Sequence, residues 1–156
     1  MQPKIVTIGP KKLLGLCLEM SLAENLTREL WRSFMPRLKE IETRTGNDLF
    51  SLQVYDEDYF QQFDPRREFE KWALAEVRNF SVIPDEMEPF ELEGGLYAVF
   101  SHKGMGTEIF QTIFTDWLPQ SGYQLDNRPH FEILGEKYKQ GSPDSEEEIW
   151  IPVKEK

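Results

Sequence analysis

Cysteine is nearly missing from this chain. Cys17 is the only one among 156 residues, so no internal disulfide can form, and a reducing compartment, the cytoplasm, is the expected location. Histidine is almost as scarce: His102 and His130 stand far apart, and neither CxxC nor HExxH spacing occurs, so no metal site and no cofactor is expected. Charge interrupts every apolar run well short of the ~18 residues a membrane-spanning helix needs. The opening MQPKIVTIGPKK has no apolar stretch of the kind a secretory leader carries, so no membrane contact is expected. Basic residues are in deficit, 18 Lys and Arg against 28 Asp and Glu, for a formal charge of -10. That balance argues against direct nucleic-acid binding by phosphate neutralisation, and favours a cationic partner. The chain has no GxSxG elbow, no glycine-rich phosphate loop and no histidine near Cys17, so nucleophilic catalysis has no motif to stand on.

What is plentiful is aromatic surface. Aromatic residues make up 13% of the chain, with four Trp and eleven Phe, and apolar residues make up 39%. Disorder is excluded, and a chain of ~150 residues can bury roughly 70% of its unfolded surface. A ring-rich interior or cavity is the expectation.

Hydrophobic periodicity predicts the elements. Residues 4–20 alternate as one bent strand broken near Gly9, Pro10 and Lys11. Residues 25–44 carry Leu26, Leu30, Trp31, Phe34, Met35, Leu38 and Ile41 at helical spacing, with Gly46 as the stop and Pro36 kinking or shortening the last turns. Strands are predicted over 48–55 and 69–80. The order strand, helix, strand, strand then recurs: Phe34-Met35-Pro36 and Trp117-Leu118-Pro119 match at an offset of 83 (119 − 36), and Val77 matches Val153 at 76 (153 − 77). The predicted domain is therefore a pair of repeats, about 1–80 and 90–156, joined by the proline-containing linker 81–89. Neither half can bury its own sheet, so the fold class is α+β: two pseudo-twofold repeats sharing one curved antiparallel sheet, two main helices on one face and a ligand cleft on the other.

Strand parity selects candidate residues. On the last strand Ile149, Ile151 and Val153 share one face, expected against the helices, and Glu148, Trp150 and Pro152 share the other. A carboxylate beside an indole suits a lipophilic cation, because Coulomb and cation–π attraction both grow as water is excluded. The repeat carries Glu148 onto Trp72 and Trp150 onto Leu74, with Glu76 continuing that face. Tyr55, Tyr97 and Tyr123 can offer hydroxyls to a cleft. Each has a plainer reading as well: acids at a strand start are often solvated, large rings fill cores, and edge tyrosines keep their hydroxyls in water. His102, where a strand turns toward the second helix, reads as a base, an anion contact or a turn residue.

The twofold repeat, with GGLYAVFSHKG, WLPQSGYQLDNRPHFEILGEKY and the ending EEEIWIPVK in that order, resembles the GyrI-like small-molecule-binding domain, also called the AraC-type effector-binding domain. The resemblance covers nearly the whole chain. It implies a curved sheet with a cleft at the pseudo-twofold, which in drug-sensing regulators receives cationic aromatic compounds through a buried glutamate and stacking rings. Here Glu148, with Glu147 as a one-residue alternative, matches that acid. The expected form is stand-alone, without a DNA-binding segment.

Three functions follow as expectations. One is a binding protein for a lipophilic, cationic molecule, with Glu148 as counter-charge and Trp72, Trp150 and neighbouring rings as walls. Another, implied by the resemblance, is hydrolysis of cyclopropane-type electrophiles, with Glu148 as general base and Tyr97 as proton donor. The last is a protein-interaction module engaging a separate regulator or gyrase through its acidic surface.

Overall fold

The structure is a computed structural model that describes residues 2–104, 106–139 and 142–156. The described residues form nine strands and two helical segments: β1 Lys4–Ile8, β2 Lys11–Ser21, α1 Thr27–Phe34, β3 Arg44–Val54, β4 Glu68–Val77, β5 Glu88–Leu92, β6 Gly95–Lys103, α2 Glu108–Thr112, β7 Tyr123–Leu125, β8 His130–Leu134 and β9 Glu146–Glu155. The sheet is antiparallel in the order β1-β6-β9-β8-β3-β4-β2-β5, with β7 pairing to the end of β9. This is the expected α+β arrangement, a curled half-barrel sheet with two helical segments on one face.

Registers define the duplication. Lys4 pairs with Val99, and their counterparts Glu88 and Gly15 pair likewise, each 84 positions away (88 − 4; 99 − 15). The β2 to β6 offset is thus 84, one more than the helical offset of 83. That single residue flips a strand face, so Leu14 corresponds to Ala98 and Leu13 to Tyr97. The offset of 76 between β4 and β9 stands: Gly15 pairs with Leu74 as Val99 pairs with Trp150. The pseudo-twofold axis passes between β3 and β8, where Ser51 faces Glu132.

Residues 4–20 form two strands instead of one bent strand. After the break at Gly9 and Pro10, β1 joins β6 of the second repeat, while β2 stays with β4 and accepts β5 on its other edge. Pro36 ends α1 early, because it cannot donate to the helical ladder, and the chain continues as 3-10 turns over Met35–Glu40. Gly46 is not the helix stop. It lies within β3 at φ 77°, where the register with β4 shifts between Arg44 and Leu49. The second helix is loosened by a π turn over Ile113–Trp117 before its last turn at Leu118–Gln120.

The face without helices is filled. Leu13, Leu52, Trp72, Leu92, Tyr97 and Phe131 are buried in one cluster that also takes in Val6 and Ile8 of the opposite edge, so the sheet closes on its own side chains. On the other face α1 sets Leu30 and Phe34 on Leu14, Ala73, Ala75 and Val77. The second helix sets Ile113 on Phe100, Ile149, Ile151 and Val153. The two helices stand to either side of the axis and leave β3 and β8 uncovered between them. The open cleft therefore lies on the helix-bearing face, whereas the sequence pattern put it on the bare one; curling has plugged the bare face with rings.

Candidate functional site

The floor of that gap is built by alternation on four strands. Ser51 and Gln53 of β3, Lys71 of β4, His130 and Glu132 of β8 and Glu147 of β9 share the helix-side face with Ala73, Ile149 and Ile151. Lys71 and Glu147 are repeat mates at the offset of 76, so the twofold sets an amine-bearing and a carboxyl-bearing chain about the Ser51–Glu132 pair. Two cavities open on this floor, one of ≈ 650 Å³ toward α1 and one of ≈ 490 Å³ toward α2, and Lys71 and Glu132 line both. Trp31, Met35, Leu49 and Tyr138 wall the first. Tyr55, Phe60, Phe110 and Phe114 wall the second. Phe60 stacks on Phe114 at 5.0 Å and on His130 at 5.3 Å, a continuous aromatic surface beside the acids.

Burial governs the charges. Glu132 is pushed up to about 7, chiefly by burial, against the pull of Lys71 and with further upward pressure from the neighbouring Glu147 carboxyl. Glu147 also meets His102, Oε1 to Nδ1 at 3.2 Å, with both side chains mostly buried. Lys71 is 6% exposed, and desolvation lowers its pKa although Glu132 and Glu147 oppose this. The Gln53 amide, set to satisfy both neighbours, accepts from Lys71 and donates to the His130 carbonyl at 3.1 Å. His130 is held neutral, its pKa lowered to about 3 by burial and by Arg128. The arrangement can hold a compact positive charge against the Glu132 and Glu147 carboxyls, with aromatic side chains on either side.

The residues singled out from sequence divide between the two faces. Glu147 and Tyr55 reach the cleft; Tyr55 sits among Tyr59 at 4.6 Å, Phe60 at 4.9 Å and His130 at 5.0 Å. Glu148 is exposed on the opposite face and accepts from the Trp150 indole at 3.2 Å. The Trp150 ring stacks on Phe131 at 5.2 Å on that same face, although β9 itself borders the second cavity at this residue. Trp72 is buried in the plugged face and donates to Glu70 at 3.0 Å. Tyr97 is fully buried there; its hydroxyl donates to the Pro129 carbonyl at 2.9 Å, and burial raises its pKa to about 12. Glu76 pairs with Lys11 at 3.5 Å near the sheet margin, and Tyr123 stacks on Trp117 beyond the second helix. Cys17, raised to about 12 chiefly by burial, is no thiolate nucleophile.

Lys71, Glu132, His130 and Gln53 were not read from sequence. The signal for Lys71 was available: it interrupts Phe69, Ala73, Ala75 and Val77 on one strand face, and a lysine in such a stripe is either paired or functional. Glu132 had a weaker one, an acid alternating with Phe131 and Ile133.

The chain belongs to the GyrI-like small molecule binding domain family, whose model matches residues 1–154. It is 28% identical over 129 residues to the transcriptional regulator BrlR of Pseudomonas aeruginosa, an alignment that spans 80% of this chain and 45% of BrlR, so the chain accounts for under half of that relative's length. The fold matches the EcmrR C-terminal domain with a TM-score of 0.72 at 16% identity, covering 99% of this chain and 98% of that one. It also matches SAV2435 bound to tetraphenylphosphonium, with a TM-score of 0.68 at 17% identity over 99% and 94% of the two chains. Among the described residues no helix is long and apolar enough to cross a membrane.

Proposed function

We propose that this protein binds a lipophilic cation between its two helices, with the Glu132–Glu147 pair as counter-charge and Trp31, Tyr55, Phe60, Phe110 and Phe114 as apolar walls. The observation that carries the reading is the half-buried acid pair: Glu132 and Glu147 on one floor, both facing the first cavity and Glu132 also the ring-walled second. A permanent cation there gains the attraction of the pair without needing a hydrogen-bond donor, and the rings replace its weak hydration. SAV2435, of like fold, is described with tetraphenylphosphonium bound, which supports the choice of probe. The family's effector domains in regulators support a sensing or sequestering role, with any regulator a separate or covalently joined partner.

Titration with tetraphenylphosphonium by calorimetry tests this. Glu147→Gln is expected to weaken binding by about a hundredfold, the scale of losing one side of a desolvated charge interaction, whereas Glu148→Gln is expected to stay within about twofold. Equal losses in both variants, or none in Glu147→Gln, would move the counter-charge elsewhere.

A further inference from the structure

The cation reading leaves Lys71 without a role, and its setting is unusual for a lysine. Its side chain is almost wholly buried at the junction of the two cavities and lines both. Its Nζ donates to the Gln53 amide oxygen. Among the described residues no carboxylate oxygen lies within 4.0 Å of that nitrogen, so the amine is not locked in an ion pair. Glu132 faces the same space from β8, its carboxyl held toward the protonated form chiefly by burial. Tyr55, Phe60, Phe110 and Phe114 line the second cavity beside it.

We propose that Lys71 is a covalent capture site for hydrophobic aldehydes and ketones, which it binds as an imine within the cleft while Glu132 supplies the proton that lets water leave. The chemistry needs a desolvated amine, an acid and an apolar pocket for the carbonyl compound, and these three stand together here. The Nζ lone pair adds to the carbonyl carbon, and one nitrogen proton passes to the former carbonyl oxygen to give a carbinolamine. The Glu132 carboxyl then protonates that hydroxyl, the C–O bond breaks, and water departs. Amine, carbonyl and carboxylic acid have become a protonated iminium, a carboxylate and one water, with no oxidant or reductant involved. The iminium is itself a cation, and it forms against the carboxyl pair that is suited to hold one. Desolvation favours the free-base amine, which is the reactive form, while an exposed lysine of pKa ≈ 10.4 is unprotonated in only about one molecule in 10⁴ near pH 6.5. The carbonyl compound fitting the second cavity carries an aromatic or branched apolar body.

Incubation with cinnamaldehyde and cyanoborohydride at pH 6.5, followed by peptide mapping, decides it. The expected result is one reduced adduct on Lys71, at least tenfold above any exposed lysine, lost in Lys71→Met and trapped at least tenfold more slowly in Glu132→Gln. Modification spread over surface lysines with Lys71 unmodified overturns the proposal, and the wild-type map alone gives that answer even if Lys71→Met fails to fold. The inference goes beyond cation binding and is separable from it: tetraphenylphosphonium can bind a protein whose Lys71 proves inert, and Lys71 can be trapped in a protein that ignores tetraphenylphosphonium.

Discussion

Glu132 stands at the pseudo-twofold axis, and its titration should be visible in both stability and binding. Lys71 faces it from β4, Gln53 from β3, and Glu147, backed by His102, from β9; Tyr138 also feels both acids. Its carboxyl is raised from an ordinary 4.5 to about 7, so between these values the folded protein holds a proton that the unfolded chain has lost. Stability therefore falls as pH rises from about 4.5 to 7. His130 works in the other direction, because the neutral ring buried in the fold charges in the unfolded chain from 6.5 downward while resisting in the fold until about 3. Stability is lost through that group as pH falls below 6.5. The two slopes oppose each other below pH 6.5, and only the Glu132 slope remains above it. Urea denaturation against pH should therefore show only a shallow decline above pH 6.5, under about 1 kcal/mol by pH 8, and Glu132→Gln should leave the His130 slope alone, so that stability rises with pH up to about 6.5 and then levels off. The same proton competes with a permanent cation, so tetraphenylphosphonium affinity should fall as pH drops below 7, by up to about tenfold per unit. A pH-independent affinity would show that the acid pair does not face the ligand.

At the scale of elements, parity along the strands was the legible part and the side on which the cleft opens was not. Ile149, Ile151 and Val153 pack on the second helix as their alternation predicts. Glu147 shares their face, and it becomes a cleft residue because the helices stand apart and leave the middle of that face open. Helix separation depends on loop lengths and on where Pro36 truncates α1, neither of which periodicity measures. Curling was equally hidden: Trp72, Tyr97 and Trp150 suit a ligand wall or a core, and only closure of the sheet assigns them to a core. The curl does leave one mark in the sequence, at Gly15. A Cβ there would run into the Ala73 carbonyl of the adjacent strand, where β2 bends between β4 and β5. Backbone cannot retreat as a side chain can, so Gly15→Ala should cost about 2 kcal/mol or more. At Gly122 an added Cβ meets nothing within 4 Å, and its φ is not in the left-handed region, so Gly122→Ala should stay within about 0.5 kcal/mol. Thermal unfolding of the pair measures the contrast, and equal losses would mean that β2 can shift to relieve the contact.

Across the whole molecule, the duplication visible in the sequence is closed by an exchange that the sequence does not announce. Each repeat opens with a short strand, and neither strand pairs within its own repeat: β1 lies on β6, and β5 lies on β2. Within the second repeat Arg128 ties β6 to β9, donating from Nη2 to the carbonyls of Leu96 at 2.6 Å and Val153 at 3.1 Å while stacking 4.7 Å over Tyr97. The β3–β8 seam at the centre carries the site itself, so ligand floor and repeat interface are the same surface. Separated halves would each lose an edge strand, the central seam and one wall of the plugged face, leaving too little burial for an independent fold. Fragments 1–83 and 84–156, expressed apart, are expected to lack cooperative unfolding when alone and to regain it, together with tetraphenylphosphonium binding, when mixed at equal concentration. A half that melts cooperatively by itself would show that each repeat holds a complete core and that the exchanged strands are ornament to it.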